Sequence, residues 1–188
     1  MQSAVPVGVG GMCAVIGLSD ADVLECCAEA SKTGPVEAVN FNSPGQVVIA
    51  GEKKALAKAI ELVKAKGCRR AIELAVSGPF HSSMLKPAGE KLAARLAEVE
   101  LSVPEIPVIA NVDVKTHADP AEIRTVLAEQ VSSPVQWVKT IQKMAADGVT
   151  DIVECGPGKV LQGLIRRIAP EIRIYGISDA ATLAAALE

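Results

Sequence analysis

The first 78 residues alternate between short apolar runs and amphipathic stretches. Apolar or β-rich runs over 12–18, 36–41, 46–51 and 68–78 predict strands, and helical spacing of apolar residues over 20–31 and 53–67 predicts helices. A turn over 42–45, Asn-Ser-Pro-Gly, joins the two middle strands into a hairpin. The order β-α-β-β-α-β is that of the ferredoxin-like arrangement.

Beyond residue 78 the pattern contains more helix and fewer strands. It predicts an amphipathic helix over 84–99, helix starts at Asp119-Pro120 and Ser133-Pro134, and a last helix over 181–188. Runs over 108–112, 151–155 and 172–178 predict strands, and their alternation with helices predicts a parallel sheet. Three strands are few for a complete sheet of this kind. We therefore predict two domains, 1–78 and 79–188, the second being part of a larger α/β domain.

Composition and charge narrow the classes of function. Half of the 188 residues are apolar but only four are aromatic, which suits helices packed on a buried sheet. The net charge of -3 and the lack of a basic block argue against a nucleic-acid partner. Charged residues interrupt every apolar run before it is long enough to span a membrane, and no secretory signal is apparent. Five cysteines without zinc-ligand spacing predict reduced, mostly buried thiols in a cytoplasmic protein, without a metal site.

The stretch GPFHSSM, residues 78–84, contains the strongest candidate for chemistry. His81 follows a strand-like run and is either a general base or a structural residue bonded to backbone. The only other histidine, His117, is interpreted as a solvated loop residue. A base needs a nucleophile, yet the sequence contains no GxSxG elbow. Ser82 and Ser83 follow His81 directly, and such neighbours rarely reach attack geometry.

Other candidates have simpler interpretations. Cys155 is interpreted as a core thiol, with a thiol nucleophile as the weaker alternative. The stretch GPGK, 156–159, lacks phosphate-loop spacing and predicts a tight turn, although the N–H groups of the next helix could attract an anion. Asn42 serves the hairpin turn, and Asn40 either faces a ligand or is an ordinary hairpin residue.

Five stretches together resemble malonyl-CoA:acyl-carrier-protein transacylases of bacterial fatty acid synthesis, and more loosely the acyltransferase domains of polyketide synthases. They are VNFNSPGQVVIAG (39–51), GPFHSSMLKPA (78–88), PVIANVDVK (107–115), SSPVQW (132–137) and VECGPGKVLQGLIRR (153–167). The resemblance implies a ferredoxin-like small subdomain inserted into an α/β-hydrolase-like acyltransferase subdomain. It implies transfer of malonyl from coenzyme A to the phosphopantetheine thiol of acyl carrier protein through a malonyl-serine intermediate, with no cofactor besides the thioester substrate.

The resemblance also assigns residues. His81 would activate the serine, and a backbone carbonyl in the region of Gln130 would orient its ring. Asn40 and Asn42 are candidate substrate-binding residues. Phe80, beside the base, would crowd a methyl branch and favour malonyl over methylmalonyl.

The family's serine elbow, an oxyanion-hole glutamine and a carboxylate-binding arginine have no counterpart in these residues. We expect them in chain that precedes this sequence, so the sequence resembles a C-terminal portion. We predict that it is inactive alone and that it exposes apolar surface prone to self-association. The alternative is a non-catalytic fragment or a module that binds carrier protein.

Overall fold

Two units divide the chain, Met1–Trp137 and Val138–Glu188. The computed structural model describes residues 1, 4–76 and 78–187. The predicted strand over 68–78 and the predicted last helix each include a position outside the described residues. The predicted division into domains 1–78 and 79–188 stays a prediction.

A four-stranded antiparallel sheet forms the core of the first unit. Its strands lie in the order β2-β3-β1-β4. They are β1 (Gly10–Ile16), β2 (Val36–Ser43), β3 (Gln46–Glu52) and β4 (Arg70–Glu73). Helix α1 (Asp20–Ala30) follows β1 and helix α2 (Lys53–Ala65) follows β3, so the β-α-β-β-α-β order agrees with the sequence pattern.

The two faces of this sheet pack against different partners because side chains alternate along each strand. In β1, Cys13 and Val15 point into the apolar cluster that includes the buried faces of α1 and α2. Met12 and Ala14 belong to the cluster on the opposite face, against which Phe80 packs. The segment that contains Phe80 is thereby held on the face that the helices leave uncovered.

A helical pair completes the first unit. A 3-10 turn, Ser83–Leu85, leads directly into α3 (Lys86–Ala97). Asp119 caps the start of α4 (Pro120–Glu129), and its side chain accepts from the Ala121 N–H. Arg124 of α4 donates to two carbonyls at the end of α3. Val5, Leu85 and Val131 form a further buried cluster, and Phe80 packs against this cluster as well. Phe80 therefore joins the sheet core to the helical core.

Two predicted elements are wrong, and the hydrogen-bond partners of their backbones explain both. Residues 108–112 form no strand: Ile109 makes one isolated bridge with Thr116, and Val108 is exposed. The Ala110 N–H donates to the Lys115 carbonyl, and the Asn111 N–H donates to the side chain of Gln130, the residue that caps α4. No helix begins at Ser133. Instead Val135 pairs with β2, and α5 (Trp137–Ala146) begins two residues later.

The second unit contains a two-stranded parallel sheet. Strand β5 (Asp151–Cys155) pairs with β6 (Arg173–Ile177), α6 (Val160–Ile168) connects them, and α7 (Ala180–Leu187) follows. This sheet has two strands rather than the predicted three because residues 108–112 form no strand. Val153 and Tyr175 are well exposed on it, as expected of an incompletely covered sheet. Self-association stays a prediction. Among the residues described, no helix has both the length and the apolar content to span a membrane.

Candidate active site

His81 lies on a strained turn between β4 and α3. Its φ is 62°, a left-handed value that few non-glycine residues adopt. On one side Pro79 is fully buried, and its ring leaves no space for a side chain at Gly10 of β1. The Ser82 hydroxyl donates to the Pro79 carbonyl at 2.7 Å. The turn is therefore fixed against the sheet just before and just after the histidine.

The ring of His81 contacts the end of helix α4. Its Nδ1 lies 3.1 Å from the backbone oxygen of Gln130, the C-terminal capping residue. A carbonyl can only accept, so Nδ1 carries the hydrogen and the Nε2 of a neutral ring keeps its lone pair. The last carbonyls of a helix lack partners within the helix and carry the negative end of its dipole. They favour the positive charge that develops when Nε2 accepts a proton.

A cavity of about 230 Å³ opens beside this pair. Its walls come from the His81 turn, the end of α4 and two loops; the lining residues are His81, Asn111, Val112, Gln130, Ser133, Pro134 and Val135. Val114, in the loop that supplies Asn111 and Val112, has a φ of 61°. Within 1, 4–76 and 78–187, it and His81 are the non-glycine residues with positive φ. Backbone strain of this kind concentrates at functional sites.

Asn111 connects the cavity walls. Its N–H donates to the Gln130 side-chain oxygen at 3.0 Å, and its carbonyl accepts from the Gln136 N–H at 2.9 Å. Its Oδ1 is buried and has no hydrogen-bond partner in the described part of the chain. An unpaired buried acceptor is costly and is often retained for function. Sequence reasoning missed this residue, although PVIANVDVK was among the diagnostic stretches.

The remaining predicted site residues lie outside the cavity lining. Asn40 is in β2 opposite Val48, and the backbone on either side of it pairs with Val135: the Phe41 N–H donates to Val135 at 3.0 Å, and the Val135 N–H to Val39 at 2.8 Å. The hairpin thus holds a cavity wall through its backbone. Asn42 lies at a register shift near the end of β2. The substrate-binding roles of Asn40, Asn42 and Phe80 stay predictions.

Neither serine beside His81 is available as its nucleophile. The hydroxyl of Ser82 is buried and donates to the Pro79 carbonyl, and the hydroxyl of Ser83 donates to the Glu37 carboxylate. Their hydrogens are thus held away from the imidazole. The structure places His81 against Gln130. Neither Ser82 nor Ser83 offers it a hydroxyl that it could deprotonate.

The sequence gives the wrong solvent exposure for two side chains. Cys155 is exposed rather than part of the core, because β5 lies in a thinly covered two-stranded sheet. His117 is only 14% exposed rather than solvated. Its Nε2 lies 2.9 Å from Asp113 and its Nδ1 3.4 Å from Glu122, so it ties the cavity loop to the start of α4.

The GPGK segment forms the predicted tight turn, and Gly156 and Gly158 both have positive φ there. The helix that follows has an internal anion: the carboxylate of Glu154 accepts from the Leu161 N–H at 3.0 Å and the Gln162 N–H at 3.2 Å. An external anion is therefore not needed to satisfy these donors. No group of three or more His, Cys, Asp or Glu side chains among the described residues could hold a metal ion.

The cysteine thiols differ in burial, and we expect their rates of alkylation to differ accordingly. Burial raises the pKa of Cys13 from 9.0 to about 11 and that of Cys27 to about 12, with smaller contributions from nearby acidic groups. Because the thiolate is the reactive form, both should resist iodoacetamide in the folded chain at pH 8. Exposed Cys155 should be modified first, as measured by peptide mass spectrometry. Equal rates at all three, without denaturant, would contradict this.

Comparison with known proteins decides the family. The family model described as acyl transferase domain matches residues 1–183. The chain belongs to the acyl transferase domain family.

Relatives of this acyl transferase domain are longer than the chain itself. It is 49% identical over 187 residues to the malonyl CoA-acyl carrier protein transacylase of Salmonella typhimurium and 40% identical to that of Bacillus subtilis, covering 60% of each. An acyl-carrier-protein S-malonyltransferase from Burkholderia pseudomallei superimposes with a TM-score of 0.97 at 54% identity, over 100% of this chain and 61% of that one. The chain spans about three fifths of the length of the curated relatives it matches.

A fourth similar protein was solved with a partner. It is a malonyl-transacylase in complex with a type II polyketide synthase acyl carrier protein. The chain is 44% identical to it with a TM-score of 0.97, over 99% of this chain and 60% of that one.

Proposed function

We propose that this chain supplies the general base of a malonyl-CoA:acyl-carrier-protein transacylase. The observation that carries the proposal is the hydrogen bond from His81 Nδ1 to the Gln130 carbonyl, because it leaves Nε2 free to accept a proton beside an open cavity. A backbone carbonyl at a helix C-terminus takes the place of the carboxylate that orients the histidine in a catalytic triad. Similarity to named malonyl transacylases over the whole chain supports the choice of substrate.

The proposed reaction proceeds in two halves with a serine outside these 188 residues as nucleophile. The serine oxygen attacks the malonyl thioester carbon while Nε2 of His81 takes the hydroxyl proton. The carbon–sulfur bond breaks, and His81 returns the proton to the coenzyme A sulfur. The phosphopantetheine thiol then attacks the malonyl-serine ester, His81 accepts the thiol proton, and the proton returns to the serine oxygen as the ester bond breaks. His81 is thus unchanged after each half.

We propose a specific architecture for each of the two sheets. We infer that the antiparallel sheet with α1 and α2 is a ferredoxin-like subdomain, since the strand order β2-β3-β1-β4 is that of a split βαβ motif. The parallel pair β5–β6 with α6 would be part of an α/β-hydrolase-like subdomain that further strands complete. A cytoplasmic location, where fatty acid synthesis supplies both substrates, belongs to the same proposal.

Substrate and partner assignments follow from this function. Malonyl-CoA and acyl carrier protein are the proposed substrates, and the carrier complex of a similar malonyl-transacylase supports the second. Asn40 and Asn42 are proposed to contact the substrate, and Phe80 to disfavour methyl-branched acyl groups. Asn111 lines the cavity, and we propose that its side chain also contacts the substrate.

A chimera tests the proposal. The 188 residues would replace the matching segment of the Salmonella typhimurium transacylase, to which they are 49% identical. Malonyl transfer to acyl carrier protein should be measured for the 188-residue polypeptide alone and for the chimera. We expect no turnover by the polypeptide alone and clear turnover by the chimera.

The second candidate, a non-catalytic fragment or carrier-binding module, is favoured only by the lack of a GxSxG sequence. A folded chimera that binds carrier protein without transferring malonyl would select it. Turnover by the 188-residue polypeptide alone, lost on mutating one of its own serines, would contradict the proposed origin of the nucleophile.

A further inference from the structure

A carboxylate from strand β2 holds the turn that carries His81. Glu37 accepts two hydrogen bonds from Ser83: one from the backbone N–H at 3.0 Å and one from the hydroxyl. The two residues are 46 positions apart in sequence, so the contact joins the antiparallel sheet to the segment of the proposed base. Both carboxylate oxygens are used, one for each donor.

The contact matters because of the backbone of His81. A residue with a φ of 62° persists only where its surroundings fix it from both sides. On the N-terminal side, buried Pro79 packs against β1 and accepts from the Ser82 hydroxyl. On the C-terminal side, Glu37 fixes Ser83, two residues beyond the histidine. Without the second anchor, the turn could relax toward an ordinary conformation and carry the ring away from Gln130.

The electrostatics favour an anion at this place. Ser83 begins the 3-10 turn that continues into α3, so its N–H is one of the donors that a helix start leaves without a partner. A negative charge there is stabilised by the helix dipole, and hydrogen bonds to an ionised carboxylate are the stronger kind. An amide in place of Glu37 still offers an acceptor to the Ser83 N–H, but its NH2 group can meet the Ser83 hydroxyl only if that bond reverses. It also lacks the charge that strengthens both bonds.

The register of β2 explains why Glu37 is directed to this face. Its neighbours Val36 and Ala38 belong to the cluster beneath α1 and α2. Glu37 lies opposite Ala50, which belongs to the cluster against which Phe80 packs. A half-buried carboxylate on a sheet face is costly unless it is hydrogen-bonded, and Ser83 supplies those bonds.

We propose that Glu37 is a positioning residue for His81 that acts through Ser83. It touches neither substrate nor the reacting atoms; it holds the turn so that Nδ1 of His81 meets the Gln130 carbonyl. The proposal rests on the proposed function of His81 as the base. Its structural part can be tested without any turnover.

The first test uses nitrogen-15 NMR of the 188-residue chain with labelled histidine. The chain has two histidines, and His117→Asn assigns the signals. We expect the neutral His81 ring to carry its hydrogen on Nδ1 in the unmodified chain. In Glu37→Gln, the ring should shift toward a mixture of the two neutral forms, and the Ser83 amide should lose protection from hydrogen exchange.

The controls separate this effect from loss of a charge or of the fold. Glu25→Gln removes an acid that pairs with Lys66 on the exposed surface of α1, and it should leave both signals unchanged. Ser83→Ala is the milder second variant, since it keeps the N–H bond and removes only the hydroxyl. Circular dichroism verifies folding of each variant. If folded Glu37→Gln and Ser83→Ala both keep the His81 signal and the exchange rates, the proposal is overturned.

The second test measures turnover in the chimera. Glu37→Gln should lower kcat roughly tenfold with little change in KM, because a displaced base impairs chemistry more than binding. Ser83→Ala should act in the same direction, and the double variant should lose less than the product of the two effects. Full additivity would contradict action through Ser83. A chimera that lacks turnover while Glu37→Gln still alters the His81 signal would overturn the proposed function and leave the positioning role supported.

Discussion

Replacing His81 with asparagine in the chimera is expected to lower kcat/KM for malonyl transfer by about 10³-fold or more. Asparagine tolerates left-handed backbone better than most residues, so the strained turn should survive the change. What is lost is the Nε2 lone pair, which we propose takes the serine proton and returns it to the leaving thiolate. Initial rates at several malonyl-CoA concentrations give kcat/KM, and a thermal melt verifies the fold.

The other histidine provides the matched control. His117→Asn removes a side chain that contacts Asp113 and Glu122 and not the His81 ring. Because His117 ties the cavity loop to α4 but carries no reacting atom, its loss should lower kcat/KM far less than the loss of His81. A His81→Asn chimera as active as its parent would show that the histidine is structural, which is the alternative that sequence alone leaves open.

Local patterns were sufficient for the first half of the fold. The strands β1 to β3 each alternate between two apolar clusters, and Ser19 and Asp119 cap helices as their side chains predict. Such signals depend on neighbours in sequence, so they can be detected without coordinates. The element order of residues 10–73 follows from them.

Long-range contacts decide the segments where the prediction is wrong. Val135 lies in a sequence that resembles a helix start, yet its backbone hydrogen-bonds with β2. Asn111 lies in an apolar run, yet its N–H is bound by the side chain of Gln130. Propensity gives way to tertiary partners in both cases. The two segments line the cavity beside His81, so the errors coincide with the candidate site.

The candidate site was predictable in part. Resemblance of GPFHSSM and of the stretch around Gln130 singled out the two members of the hydrogen-bonded pair. No sequence signal indicated that the serines after His81 anchor its turn, or that Glu37 is the acceptor for one of them. The contact between Glu37 and Ser83 joins positions 46 apart and depends on the pairing of strands that precede the turn.

Gly10→Ala is expected to disturb the site from the opposite side of the turn. A β-carbon at Gly10 would lie 2.6 Å from Cδ and 2.7 Å from Cγ of Pro79. Pro79 is fully buried and its ring is rigid, so either the proline or strand β1 must move. We expect a loss of about 1–3 kcal/mol in the free energy of unfolding, as for other overpacked cores.

The same displacement should reach the chemistry. The Pro79 carbonyl accepts a hydrogen bond from the Ser82 hydroxyl, and these two residues lie on either side of His81 in the turn. A shift of the order of 1 Å in a catalytic group can cost about 10²-fold in rate, so kcat of the Gly10→Ala chimera should fall by roughly 10- to 100-fold. Urea unfolding of the 188-residue chain and turnover of the chimera measure the two effects separately.

Gly163→Ala is the control for this prediction because it makes the same substitution in open space. Gly163 lies within α6, and a β-carbon there meets no atom within 4 Å. Alanine favours helix over glycine, so this variant of the 188-residue chain should gain about 0.5–1 kcal/mol in the free energy of unfolding. If Gly10→Ala behaved like Gly163→Ala, the close approach of Pro79 to β1 would have no part in setting the turn. Glu37 and Gln130 would then be left to hold His81 in place.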